Sequence, residues 1–361
     1  MNGRALVVGG GVAGLAAARG LLEGGWEVEV RERLDGPPDI GGALMMWPAA
    51  MAGLDRVGLG DRVRERARRP AGGVIASPSG RALLTVGGAR TDDLYLVSRS
   101  SLLATLAEGL PEGVVRWGAA VTAGEVRDAA GFDVVVGADG INSLVRRTVV
   151  PRAPAPRPLG TVAFRGTVAG PADLAVETWG RGRLFGVTPM DAGTANWFAS
   201  VRVGLLRERE GPDRVELLRA LYGDWHPVVA RVLDALPGSG VDRRVLYDLP
   251  AFGSYARGRH VLIGDAAHAM APNLGRGACE SLIDAAALAA ALTAEPSVER
   301  ALDRYDRVRR PPTRRLVLAS RALNGCATAV RLSASREGVM RVAGRLSRTR
   351  TVRPGPGLTG G

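Results

Sequence analysis

The 361-residue sequence predicts an α/β protein: a nucleotide-binding domain interrupted by a strand-rich, mixed-sheet domain and completed by C-terminal helices. Three observations predict it. A short apolar run, residues 5–8, enters a glycine-rich turn and then an apolar helical segment. Two further buried-strand patterns, residues 133–137 and 260–263, run into Ala138-Asp139-Gly140 and Gly264-Asp265. Between them, residues 160–205 read as strand-rich, with turns at Gly180-Arg181-Gly182 and Asp191-Ala192-Gly193.

Taken in order, residues 13–22 read as a helix that Gly24-Gly25 ends, and residues 27–30 begin a second strand with alternating apolar positions. Residues 40–70 carry another helical pattern that closes in the charged run 62–69. Residues 72–96 are punctuated by Gly and Ser, and residues 101–110 form a helix closed by Pro111. Four prolines between 151 and 158 mark a boundary. Residues 212–236 are helical except around Pro227, and long helices follow the strand at 260–263 to about residue 345. The expected division assigns 1–70, 98–155 and 255–345 to the nucleotide-binding domain and 71–97 and 156–254 to the strand-rich domain. Residues 346–361, with Pro354, Gly355 and Pro356, are expected to be a flexible tail.

The formal charge of +12 suggests nucleic acid until it is located. From residue 301 onward there are 14 arginines against Asp303, Asp306 and Glu337, so the preceding body is close to neutral. A solvated helical face and tail explain that distribution, and nucleic-acid binding is not expected. Cys279 and Cys326 have no paired spacing, and His226, His260 and His268 are scattered, so neither a disulfide framework nor a metal site is expected. No charged n-region or long apolar h-region precedes the first strand, and the longest apolar stretch, residues 285–294, is too short to span a bilayer. A cytoplasmic protein without an integral membrane segment, monomer or homodimer, is expected. The chain has no lysine, which excludes Schiff-base chemistry, and no G-x-S-x-G elbow.

Gly9-Gly10-Gly11-Val12-Ala13-Gly14 fits G-x-G-x-x-G after a strand and opening a helix. Gly9 permits the tight turn, Gly11 lets a pyrophosphate approach the backbone, and Gly14 allows close helix–strand packing, with Ala13 in the helix's first turn. The helix N-terminus offers free N–H groups and the positive end of its dipole. At the end of the second strand stand Glu32, able to accept ribose hydroxyls, and Arg33. An acid at 32 disfavours a 2′-phosphate, leaving FAD or NAD as the ligand of a Rossmann-like domain.

Two further segments decide between them. Residues 133–146, ending in Ala-Asp-Gly-Ile-Asn-Ser-Leu-Val-Arg, resemble the DG motif of the group A flavin monooxygenases, the aromatic hydroxylase superfamily. Residues 261–277, Val-Leu-Ile-Gly-Asp-Ala-Ala-His-Ala-Met-Ala-Pro-Asn-Leu-Gly-Arg-Gly, resemble its second FAD motif, which Asp284 continues. The likeness runs from Arg4 to about Pro312, includes Glu177-Thr178-Trp179-Gly180, and is similar to salicylate-, urate-hydroxylase-like and zeaxanthin-epoxidase-like members. It implies an FAD-binding domain in which Asp265 binds ribityl hydroxyls and Gly264 leaves room for the pyrophosphate. Pro272, Gly275, Arg276 and Gly277 would lie by the flavin, where a helix start steadies the anionic reduced ring. Arg99 matches an arginine that contacts FAD, and Asp139 and Gly140 match the DG pair linked to FAD and the nicotinamide cofactor. On the residues alone Asp265 reads equally as a helix cap, His268 as a structural histidine and Cys279 as a packed small residue. Two positions depart from the family pattern: Arg276 stands where many relatives have glutamine, and Ile283 where a glutamate usually precedes Asp284.

The resemblance implies that NADH or NADPH reduces FAD, that dioxygen forms a C4a-hydroperoxide, and that one oxygen atom hydroxylates or epoxidises a small organic substrate, aromatic or polyene-like. The missing lysine excludes halogenation by the usual route. No second Gly-rich turn for a nicotinamide cofactor is present, as expected for this family. Trp47, Phe164, Arg165, Phe185, Pro189, Asn196 and Phe198 are the expected pocket wall, by analogy. Asn196 replaces a tyrosine of urate-hydroxylase-like relatives, which disfavours urate. An FAD-dependent reductase or dehydrogenase without oxygen insertion and a non-catalytic flavin-binding protein are the alternatives.

Overall fold

The computed structural model describes residues 3–37, 42–86, 93–150, 152–170, 174–190, 193–206, 213–237, 241–331 and 338. The chain opens with β1 (Arg4–Val8), α1 (Val12–Glu23) and β2 (Glu27–Arg31), followed by β3 (Ala43–Met46), α2 (Pro48–Arg56) and α3 (Gly60–Arg66). Then come β4 (Gly73–Ala76), β5 (Ala82–Val86), β6 (Tyr95–Ser98), α4 (Arg99–Ala107), β7 (Val115–Arg116), α5 (Ala123–Asp128), β8 (Val134–Gly137) and α6 (Leu144–Val149). The strand-rich part holds β9 (Arg157–Ala169), β10 (Ala175–Trp179), β11 (Arg183–Pro189), β12 (Thr194–Arg202), α7 (Val203–Leu206), α8 (Arg214–Tyr222), α9 (Pro227–Asp234) and β13 (Asp242–Asp248). The chain returns through β14 (Ala256–Arg257), β15 (His260–Leu262), α10 (Asp265–His268), α11 (Gly277–Ala294) and α12 (Val298–Ala327).

The first sheet has the order β14-β15-β8-β1-β2-β7, parallel except for β14. Strand order reverses at β1, so β1 and β8 open a crevice at their carboxyl ends, where such sheets bind ligands. The runs read as strands are sealed: residues 134–136 and 5–7 are at most 1% exposed. Helix α11 lies against α1 and α2 because its alanines face small residues. A Cβ on Gly20 would stand 2.8 Å from that of Ala289, and one on Gly53 3.9 Å from that of Ala286. Among the described residues α11 alone is long and apolar enough to cross a bilayer, but half of it is buried inside the protein.

The second sheet has the order β13-β9-β12-β11-β10-β4-β5. One face packs on α8 and α9: Phe164, Phe185 and Trp197 join Leu218, Tyr222, Trp225 and Val229 in a core of their own. Tyr222 meets Phe185 edge-on at 5.3 Å. The other face turns toward the first domain, and its far end is covered by the C-terminal turns of α12 through Leu323 and Ala327.

Three details differ from the sequence expectations. Residues 95–97, expected in the strand-rich domain, pair with Ser98 as β6 against β3 in a separate ribbon, and Tyr95 and Val97 enter the first core. Pro227 begins α9 at its first turn rather than merely interrupting a helix, the position where a missing N–H is harmless. The helix expected over 101–110 starts at Arg99, because the Ser98 hydroxyl accepts the Ser101 N–H, and stops at Ala107. The expected tail, 346–361, and residues 332–337 and 339–345 lie outside the described residues.

Candidate functional site

The glycine turn forms by close approach. A Cβ on Gly14 would lie 1.8 Å from the Gly9 carbonyl oxygen, and one on Gly9, at φ 110°, would lie 2.5 Å from the Ala138 carbonyl oxygen. At Gly11, the N-cap of α1, nothing lies within 4 Å of a built Cβ. That open space faces a helix N-terminus, as a pyrophosphate cradle requires. Ala13 and Gly264 then meet across the crevice, with a Cβ on Gly264 only 2.9 Å from that of Ala13.

Glu32 reaches back over the turn. One carboxylate oxygen accepts the Gly10 N–H at 2.7 Å and the other the Leu34 N–H at 3.0 Å. Arg33 is exposed beside it. Trp117, which follows β7, also closes on this corner: its ring would lie 3.1 Å from a Cβ on Gly10. Sequence reading missed Trp117, because only the parallel pairing of β2 with the two-residue β7 brings it beside Glu32.

Asp139 does cap a helix. Its Oδ2 accepts the N–H groups of Leu144 at 2.6 Å and Val145 at 3.1 Å, while Oδ1 is buried without a partner. Gly140 turns away at φ 77°. Arg146, fully buried, donates to the carbonyls of Ala266 at 2.8 Å and Ile141 at 2.6 Å, tying the DG segment to the second motif. Asp265 does the reverse of the capping alternative. It is the first residue of α10, exposed, with no side-chain cap bond and no hydrogen-bond partner among the described residues. Its charge is felt by Arg99, a half-buried side chain likewise without an acceptor. Burial pulls the Arg99 pKa down, Asp265 opposes that, and Arg165 across the domain boundary adds to it.

Behind this surface lies a buried charged chain. His268 Nε2 meets Asp284 Oδ2 at 2.5 Å, and Asp284 also accepts the Gly264 N–H at 2.8 Å and Arg309 Nε at 2.6 Å. Arg309 continues to Glu280 at 2.6 Å, whose other oxygen binds Arg276 at 2.6 Å. Arg276 then lies over the Trp47 ring at 5.4 Å. Burial disfavours a charged His268, but Asp284 outweighs it and the pKa is raised. Burial likewise works against the Asp284 carboxylate, yet His268 and Arg309 hold its pKa down. His268 is therefore structural in position, and Cys279 is packed, its thiol donating to the Met45 carbonyl at 2.9 Å and its pKa pushed up to about 11 by burial. Pro272 to Leu274 form a single 3-10 turn, Gly275 takes φ 60°, and Gly277 begins α11. Asn273 Oδ1 is buried there without a partner.

The expected pocket wall divides by strand face. Arg165, Asn196 and Phe198 share the face toward the first domain. Asn196 donates to Thr188 at 3.0 Å, and its Oδ1 stands 3.9 Å from where a Gly42 Cβ would be. Phe164 and Phe185 are a correction: both are 0% exposed in the helix-side core, because residues one apart on a strand point to opposite faces. Pro189 shares their parity on β11 and is buried. Trp47 caps α2 beneath Arg276. A surface cavity of about 660 Å³ lies elsewhere, bounded by Val150, Arg152, Phe252 and Arg257, and none of the expected site residues lines it.

The orphaned or open groups fit one elongated ligand running from Glu32 past Gly11 and Arg99 to Asp265 and the 272–277 loop. Comparison with known proteins bears on what that ligand is. A family model described as an FAD binding domain matches residues 3–320. The chain is 31% identical over 327 residues to aurachin C monooxygenase/isomerase of Stigmatella aurantiaca, covering 84% of each chain. It is 35% identical over 339 residues to 3-amino-4-hydroxybenzoate 2-monooxygenase of Streptomyces cremeus, covering 86% of this chain and 84% of that one. The crystal structure of Klebsiella pneumoniae HpxO with FAD and uric acid shares the fold, with a TM-score of 0.84 at 23% identity over 94% of this chain and 92% of that one.

Proposed function

We propose, for a chain that belongs to the FAD-binding-domain family and is an FAD-dependent monooxygenase, that it hydroxylates a small electron-rich aromatic compound with NADH or NADPH as reductant. The observation that carries this reading is the open helix start at Gly11 together with the side chains of Arg99 and Asp265, which have no hydrogen-bond partner among the described residues and lie beside the sheet face of Arg165 and Asn196. A relative named for an aminohydroxybenzoate supports an aromatic ring over a polyene, and hydroxylation over epoxidation.

The bound flavin supplies the redox chemistry and the activation of oxygen. The chain's own residues bind and orient. Gly9, Gly11, Ala13 and Gly14 receive the pyrophosphate at the start of α1, and Glu32 takes the ribose hydroxyls, with Arg33 and Trp117 beside it. Gly264 and Asp265 hold the ribityl chain, and Arg99 adds a cation between them and the pyrophosphate. Asp139 and Gly140 shape the turn by capping α6. Pro272, Gly275, Arg276 and Gly277 bring the start of α11 to the flavin's anionic edge. Asn196, Phe198, Arg165 and Trp47 bound the substrate. A cytoplasmic setting is part of this reading, supported by dependence on a nicotinamide cofactor and by two cysteines outside any disulfide.

The test is direct. Purified protein should carry about one FAD per chain and, with NAD(P)H and labelled dioxygen, place one labelled oxygen atom in an aromatic acceptor. FAD reduction without label in any product would instead support a reductase.

A further inference from the structure

The surface cavity of about 660 Å³ beside β14 has no part in the reading above. Its volume falls in the range that small-molecule ligands fill, about 300–1,000 Å³. Two segments build its wall, the turn after α6 and the loop that leads into β14, through Val150, Arg152, Phe252, Ser254 and Arg257. None of its lining residues is acidic. Asp248, the nearest carboxylate along the chain to that loop, is buried and already bound by Arg157 and Arg321. Arg152 and Arg257 are exposed, with no hydrogen-bond or ion-pair partner among the described residues. The cavity is therefore cationic and uncompensated.

Arg152 holds its place in the wall against its own backbone preference. The Ala153 N–H donates to the Val150 carbonyl at 3.1 Å, closing a turn. Within it Arg152 takes φ 53°, a left-handed conformation that among the described non-glycine residues only Ala129 shares. Glycine is the ordinary occupant of such a turn position, because a Cβ strains it. An arginine there lowers local stability while placing a cation in the cavity wall, the pattern of a residue retained for binding. On the same wall Phe252, half-buried, offers a flat apolar surface and is backed by Tyr255 at 5.4 Å between ring centroids. Tyr255 is fixed in turn: its N–H donates to Asp306 at 2.8 Å, and its hydroxyl meets that of Thr313 at 3.0 Å. A steady ring with two unpaired guanidinium groups suits a flat base joined to a phosphate. The ring takes stacking, and the planar forks take the phosphate oxygens.

We propose that this cavity binds a nucleoside 5′-phosphate, with the phosphate held by Arg152 and Arg257 and the base against Phe252. That chemistry has two sources, a free mononucleotide and the adenylate half of a nicotinamide reductant. The second accords with a sequence that carries no second glycine-rich turn for such a cofactor. The site goes beyond the monooxygenase reading and does not depend on it.

The probes are AMP and adenosine, titrated calorimetrically into the FAD-loaded protein, whose bound FAD keeps both out of the β1–α1 crevice. The wild type should bind about one AMP per chain, at least about tenfold more tightly than adenosine. Arg152→Gly should weaken AMP at least about tenfold, leave adenosine unmoved, and keep or raise the melting temperature because glycine relieves the turn. Arg257→Gln should weaken AMP likewise, and Phe252→Leu should weaken both ligands. Equal affinities for AMP and adenosine in the wild type overturn the proposal. So does full AMP affinity in Arg152→Gly and Arg257→Gln, or a lowered melting temperature in Arg152→Gly with AMP binding intact, which would make Arg152 purely structural. Competition in the wild type separates the two sources. AMP that raises the NADH concentration needed for half-maximal flavin reduction marks the reductant's adenylate half, and AMP that binds without competing marks a free mononucleotide. Absence of oxygen insertion into every aromatic acceptor, with AMP binding intact, would sink the monooxygenase reading and leave this site standing.

Discussion

His268 and Asp284 meet at 2.5 Å in an interior where neither side chain exceeds 1% exposure, and the same carboxylate holds the Gly264 N–H. Because Gly264 sets the turn that presents Asp265, this pair fixes the residue proposed to hold the ribityl chain without touching it. Its two members respond to pH in opposite directions. The His268 pKa is raised above 6.5 in the folded state, so its contribution is complete below about 6.5 and is lost as pH rises through the folded value. The Asp284 pKa is lowered from 3.8, so its contribution holds above about 3.8 and is lost as pH falls through the folded value. Thermal melts should therefore decline as pH rises above about 6.5, and His268→Gln should flatten that alkaline limb while sparing the acid one. Asp284→Asn, which strands Arg309 and His268 together, should cost about 3–5 kcal/mol. An unchanged alkaline limb in His268→Gln would refute the assignment.

Gly14 and Gly11 separate folding from cofactor binding. Alanine at 14 would drive its Cβ to 1.8 Å from the Gly9 carbonyl, so Gly14→Ala should disrupt the β1–α1 turn and yield poorly folded, colourless protein. Alanine at 11 meets nothing. Gly11→Ala should fold with a melting temperature of the apoprotein near that of the wild type, yet bind FAD at least about tenfold more weakly, since the pyrophosphate needs that space. Circular dichroism and flavin fluorescence titration on the two variants distinguish these outcomes.

That contrast also marks what a sequence makes legible. The glycine turn, Glu32 and the sheet order around β1 follow from local spacing, where each residue's job is set by neighbours within a few positions. Pairings between distant positions do not announce themselves. Ile283 looked like the loss of an acid, but Glu280, one helical turn earlier, accepts Arg309 from a helix 29 residues away. Asp139 and Asp265 exchanged the roles that residue type alone suggests, because capping depends on whether the following N–H groups point back at the carboxylate. Phe164 and Phe185 are expected in the pocket only by analogy; both faces of β9 and β11 carry apolar residues, and only α8 and α9 decide which face is core.

Asp265 offers a test of a residue with no structural employment. Its carboxylate is exposed and unbonded, so Asp265→Ala should change apoprotein stability by no more than about 0.5 kcal/mol. Arg99 loses the charge that opposes its desolvation, and FAD loses the proposed acceptor for its ribityl hydroxyls. FAD affinity should fall by about tenfold to a hundredfold, measured by equilibrium dialysis against the wild type. A large loss of apoprotein stability would mean that Asp265 has a structural partner after all.

The two faces of the second sheet predict opposite signatures for two phenylalanines. Phe185 is 0% exposed, stacked on Trp197 at 5.8 Å and met edge-on by Tyr222 at 5.3 Å. Phe185→Ala should cost about 3–5 kcal/mol through lost burial and the cavity left behind, and the protein that remains folded should keep its KM. Phe198, partly open on the face toward the first domain, lies over Gly186, packs beside Leu323 and is proposed to bound the substrate. Phe198→Ala forfeits less burial, so its stability loss should be the smaller of the two, while KM for an aromatic substrate rises severalfold and NAD(P)H oxidation becomes uncoupled from product. Uncoupling follows because a substrate without that wall no longer excludes water or holds its ring at the reacting position. Paired chemical denaturation and steady-state kinetics on both variants settle the faces. A KM effect from Phe185→Ala matching that of Phe198→Ala would return Phe185 to the pocket wall.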